Sequence, residues 1–152
     1  MRSPYLDELI RYAECFVNTP YKWGGNVART GLDCSGYINI VLRSVGLVGM
    51  REDLRAVDLF HKFSKAPHSE CPLYAVTSGC LLFYGVDLAT ISHVSLVTSP
   101  WSVLECGGGG STTTTLELAN LAGAGVRKVS IRHRRDIIAC VRPAYPWDST
   151  SL

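Results

Sequence analysis

The sequence has no run of about 20 apolar residues, the length a membrane-crossing helix takes, so insertion into a bilayer is not expected. Met1-Arg2-Ser3-Pro4 leads into Asp7 and Glu8 rather than an apolar stretch, so no secretory leader is read. The expectation is synthesis in the cytoplasm. Charge is sparse at 18% of residues, with 15 Lys+Arg against 13 Asp+Glu and a net charge of +2. A nucleic-acid binder shows a basic excess or a clustered basic patch. The one dense basic stretch, Arg127-Lys128 followed by Arg132-His133-Arg134-Arg135, reads as a solvated strand edge and turn, so no nucleic-acid partner is expected. None of the six cysteines (15, 34, 71, 80, 106, 140) stands in a CxxC pair. Their spread suits free thiols of a reducing compartment better than a disulfide framework.

Apolar residues make up 47% of the 152, which excludes a disordered chain and supplies one real core. No repeat and no linker interrupts the chain, so a single domain over 1–152 is expected. Ser3-Pro4 reads as a helix start, and Leu6, Leu9, Ile10, Ala13 and Phe16–Val17 recur at helical spacing. A Gly-rich loop, Tyr21 to Gly31, precedes Asp33, a good N-cap for a second helix ending at Gly46. A third, shorter helix is expected over 53–63. Beyond residue 70 the texture becomes strand-like: 81–84, 94–98, 103–106, 128–132 and 137–141 are short and rich in β-branched or aromatic residues. Between two of them, Gly107–Gly110 and a threonine run form a low-complexity loop leading into a short helix near 116–122. Helices followed by strands on short turns define an α+β domain with an antiparallel sheet.

Gly31-Leu32-Asp33-Cys34-Ser35-Gly36 puts a cysteine in the first turn of a helix, where unpaired N–H groups and the helix dipole favour a thiolate. A nucleophilic thiolate also needs an imidazole. Of the four histidines, His61 reads as helix packing, and His68 and His133 as solvated. His93, in Ser92-His93-Val94-Ser95-Leu96-Val97, starts an alternating strand and faces the cleft edge. A hairpin near Ser99–Pro100 brings Glu105 alongside His93, where a carboxylate can steady one ring nitrogen; the alternative is an edge-strand glutamate facing solvent. Cys80, His93 and Cys106 lack a close ligand pair and a fourth partner, so neither a metal nor a cofactor is expected. The glycine run has no lysine to serve a phosphate loop.

Tyr21-Lys22-Trp23-Gly24-Gly25, Asp33-Cys34-Ser35-Gly36, Gly79-Cys80-Leu81-Leu82-Phe83 and Ser92-His93-Val94 resemble the successive motifs of NlpC-type cell-wall cysteine peptidases, in order over residues 20 to about 106. The resemblance implies a papain-like NlpC-type fold, N-terminal helices packed on a five- to six-stranded antiparallel sheet. It implies Cys34 as nucleophile, His93 as base and Glu105 at the third catalytic position, where the family more often has histidine. Tyr21 and Trp23 match positions lining the site, and Asp33 and Ser35 positions bordering the substrate groove. Cys80 stands where the family usually carries aspartate, and the Tyr21–Cys34 spacing is one residue longer than usual. The implied partner is the peptidoglycan stem peptide, cut through a thioester, commonly between D-glutamate and a diamino acid. The competing readings are a CHAP-type amidase, with the same Cys-then-His order, and a catalytically silent wall-binding or virion structural domain. Delivery to the wall by a phage particle, by lysis or by a secretion apparatus would suit a chain without a leader.

Overall fold

The structure is a computed structural model and describes residues 2–150. In chain order it contains α1 (Pro4–Glu14), the short strands β1 (Asn26–Val27) and β2 (Gly31–Leu32), α2 (Cys34–Arg43), α3 (Ala56–Ser64), β3 (Leu81–Gly85), β4 (Ile91–Ser99), β5 (Ser102–Gly107), α4 (Leu116–Ala122), β6 (Gly125–Ser130) and β7 (Ile137–Val141). Single 3-10 turns occupy Leu73–Ala75 and Pro146–Thr150. The expected α+β class is realised, with five antiparallel strands in the order β6-β5-β4-β3-β7.

Several boundaries move from their expected places. α1 stops at Glu14, ahead of Phe16–Val17, and the chain turns out through Asn18 at φ 76°. Ser3 holds the N-cap position of α1, but its hydroxyl makes no capping bond. α3 begins only at Ala56, where the Asp58 carboxylate accepts from the Arg55 N–H at 3.1 Å and from its guanidinium Nε at 3.0 Å. β6 begins at Gly125 rather than 128, since its ladder runs the full length of β5, from Gly107↔Gly125 to Ser102↔Ser130. The β1–β2 ribbon, two residues per strand, escapes any periodicity.

Strand alternation divides the core in two. Leu81, Phe83, Val94, Leu96, Leu104 and Cys106 meet the helices, with Tyr37, Ile38, Val41 and Leu42 of α2 buried against them. The far face carries Cys80, Leu82, Tyr84, Val97, Val103 and Cys140. His93 lies opposite Tyr84 in the ladder and shares that far face. Both outer strands are partly covered. At β6, the Asn18 N–H donates to the Val126 carbonyl at 2.9 Å, and the Val126 N–H to Thr19 at 2.8 Å. At β7, the Cys71 N–H donates to Cys140 at 2.9 Å, and the Arg142 N–H to Ser69 at 2.7 Å.

Candidate active site

The sulfur side is built locally. Asp33 caps α2: its Oδ1 accepts from the Gly36 N–H at 2.7 Å and from the Ser35 hydroxyl at 3.2 Å. The Asp33 N–H donates to the Gly25 carbonyl at 2.9 Å, which lays the Gly-rich loop across the helix start. A side chain at Gly36 would run into that same carbonyl, so glycine is what permits the approach. Tyr21, at the loop's root, is buried, and Gly109 sits so close to its ring that a Cβ there would overlap it. Trp23 is exposed, while its N–H donates to the Thr113 carbonyl at 2.8 Å. The glycine–threonine segment therefore lies along the loop that carries Tyr21 and Trp23.

Cys34 is half-buried at the tip of α2, and its thiol donates weakly to the Ser92 carbonyl at 3.8 Å. The Val94 N–H faces the same sulfur, which therefore rests against the backbone on both sides of His93. Burial first, and then the Asp33 carboxylate, push the Cys34 thiol up to about 11, while the N–H groups of Val94 and Ser35 pull the other way. This reverses the expectation that the helix start lowers it. Burial outweighs the helix start at this sulfur and favours the thiol form.

The imidazole side is assembled from distant segments. His93, itself buried, holds Glu105 Oε2 through Nε2 at 2.6 Å, across 12 residues of chain. That leaves Nδ1 as the ring nitrogen not engaged with the carboxylate. The Tyr84 ring lies 5.2 Å from the imidazole, centroid to centroid. Glu105 is 1% exposed, which overturns the solvent-facing alternative. Its other oxygen, Oε1, receives Arg127 through Nε at 3.1 Å and Nη2 at 3.0 Å, and lies 3.1 Å from His133 Nε2. Burial would raise the Glu105 carboxyl, but the bonds and charges of His93 and Arg127 hold it down at about 2.

Arg127 and His133 are the residues that the sequence reading missed, placing both in a solvated basic stretch. That stretch instead backs the site: Arg127 lies opposite Glu105 in the β5–β6 ladder. Arg134 stands over the Tyr84 ring at 5.0 Å and pairs with Asp136 at 2.6 Å. The available signal was a cation facing a carboxylate across adjacent strands. Its register was unreadable, because the loop after Gly107 and α4 separate the two strands. His61 and His68 are exposed, His61 more so than helix packing implies. The metal triplet weighed from the sequence does not assemble: Cys106 donates to the Leu32 carbonyl at 3.0 Å on the helix side, and Cys80 lies on the far face. A 680 Å³ cavity lined by Tyr74, Trp101, Arg132 and Arg135, among others, involves none of Cys34, His93 and Glu105.

The helix-start cysteine thus rests on the backbone of β4 on either side of the histidine that pairs with Glu105. The chain belongs to the NlpC/P60 family, which it matches over residues 18–135. Among characterised relatives, it is 32% identical over 81 residues to murein DD-endopeptidase MepH of Escherichia coli, covering 53% of this chain and 28% of that protein. The chain thus spans under a third of this relative's length. Its fold matches an NlpC/P60 family protein of Bacillus cereus at a TM-score of 0.68 and 18% identity, over 93% of this chain and 41% of the other. It also matches RipD of Mycobacterium tuberculosis, described as a non-catalytic NlpC/p60 domain protein adapted to peptidoglycan binding, at a TM-score of 0.66 and 17% identity, over 93% and 98% of the two chains.

Proposed function

We propose that the protein is a peptidoglycan hydrolase, a cysteine endopeptidase that cuts the stem peptide of the bacterial wall, commonly between D-glutamate and a diamino acid. The observation that carries this reading is the 2.6 Å His93–Glu105 pair, with the Cys34 sulfur lying against the backbone on each side of His93. Family membership and the relative named as a murein endopeptidase support the substrate class.

In this reading the Cys34 thiol gives its proton to His93 Nδ1 as the sulfur attacks the peptide carbonyl. The carbonyl oxygen takes the negative charge and is held by the first N–H groups of α2, those of Cys34 and Ser35, since the Gly36 N–H is committed to Asp33. The C–N bond then breaks, and His93 returns the proton to the leaving amine. Water, deprotonated by His93, cleaves the resulting thioester and restores the thiol. Glu105 stabilises the imidazolium that forms in both halves of the cycle. Arg127 and His133 act as positioning residues that fix Glu105. Tyr21 and Trp23 line the approach, with Asp33 and Ser35 at its border.

Incubation with defined muropeptides, with products weighed by mass spectrometry, tests the proposal. A new free amine on the diamino acid is expected. Release of the intact stem from muramic acid would instead assign an amidase of the CHAP type. Binding without turnover, equal in the wild type and Cys34→Ala, would place the protein with RipD as a silent binding domain.

A further inference from the structure

Three thiols outside the candidate active site converge on one point. Cys71 lies in the segment covering β7, Cys80 immediately precedes β3, and Cys140 lies in β7 opposite Leu82 of β3. Their sulfurs all lie within 4.8 Å of one another, and the Cys71–Cys80 separation is 3.8 Å. The Cys71 N–H to Cys140 carbonyl bond, at 2.9 Å, fixes two of the three backbones side by side. Cys80 and Cys140 are buried and Cys71 is half-buried. A pocket of about 220 Å³, bordered by Phe60, Glu70, Cys71, Leu88 and Cys140, gives access from the surface. Next to the cluster, the Ser69 carbonyl accepts from the Cys71 thiol at 3.6 Å, and the Ser69 hydroxyl is buried with no partner among the described residues.

This geometry is that of a ligand set. Thiolates at about 2.3 Å from a tetrahedral zinc stand about 3.8 Å apart, which is the Cys71–Cys80 separation. All-sulfur donors select thiophilic cations over Mg²⁺ or Ca²⁺. Among thiophilic ions, a divalent one leaves three thiolates with the smaller residual charge, −1 against −2 for a monovalent one, and burial favours the smaller. We propose that Cys71, Cys80 and Cys140 bind one Zn(II) ion, its fourth position reached from the Glu70 pocket. The ion would tie the covering segment to β3 and β7, on the sheet edge away from β6. The inference is independent of the hydrolase reading, and its test makes no use of turnover.

The full chain, reduced with a phosphine until six thiols are counted, is titrated with Co(II) and then Zn(II). One equivalent of Co(II) should raise a sulfur-to-cobalt charge-transfer band, and one equivalent of Zn(II) should abolish it. Zinc loading should raise the unfolding midpoint by several degrees, because the ion binds the folded form. Cys71→Ser, at the half-buried position, should weaken metal binding at least a hundredfold, and Cys15→Ser should leave it unchanged. The absence of a band in the reduced wild type overturns the site without recourse to any variant. So does a band of full strength in Cys71→Ser, or a Cys71–Cys80 disulfide in protein handled without oxidant.

Discussion

The sulfur side and the imidazole side of the candidate site are made in different ways. Around Cys34, cap and helix start lie within four consecutive residues, Asp33 to Gly36, and the Gly25 carbonyl closes the arrangement. Around His93, the partner Glu105 is in turn held by Arg127 and His133, the three drawn from two further strands and a loop. The electrostatics differ as well. Burial raises the thiol at the helix tip, whereas ion pairing holds the buried carboxylate down. A helix dipole acting on a half-buried sulfur is worth about 0.3–1 kcal/mol, up to roughly 2, too little to offset desolvation. The second side meets this sulfur through the main chain at Ser92 and Val94.

The sharpest way to break this comparison is to remove either centre. Cys34→Ala and His93→Ala should each lower muropeptide turnover by roughly four orders of magnitude or more. Cys34→Ala should leave the unfolding midpoint unchanged, since no stabilising bond to the sulfur is strong. Iodoacetamide alkylation of Cys34 at neutral pH should be slower in His93→Ala than in the wild type. An unaltered neutral rate in that variant would show that His93 does not take the proton.

Glu105→Gln comes next, with turnover expected to fall about a hundredfold. The linkage has a definite sign. A carboxyl lowered from 4.5 to about 2 contributes stability that is fully present above pH 4.5 and is lost as pH falls through 2. The contribution is about 3 kcal/mol, and denaturant unfolding of wild type and Glu105→Gln between pH 7 and 2 should differ by a gap that closes over that window. Arg127→Met should have a smaller effect, about tenfold on turnover. Its acid limb should move upward, because Glu105 loses its two guanidinium bonds. Ser3→Ala should change stability by less than about 0.5 kcal/mol, because its hydroxyl caps nothing.

The same division explains what was legible in the sequence. Asp33 as N-cap, Cys34 in the first turn and Gly36 as the close-approach residue are short-range features, and each is found where the local pattern puts it. The His93–Glu105 pairing was within reach, since a tight turn joins β4 to β5. Arg127 and His133 were not, because a loop and α4 intervene before β6 and no local rule sets the register across such an insertion. The convergence of Cys71, Cys80 and Cys140 was hidden for the same reason: β7 joins the sheet beside β3, more than 50 residues further along the chain. The direction of the Cys34 shift was misjudged because dipole and N–H groups follow from sequence position, whereas desolvation depends on what the fold stacks above the sulfur.

The segments at residues 18–21 and 69–71 have a consequence beyond framing the domain. By occupying main-chain donors and acceptors along part of each outermost strand, they deny a neighbouring polypeptide a continuous template for intermolecular pairing. Crowding many copies onto one surface should therefore leave them discrete rather than growing into fibrils.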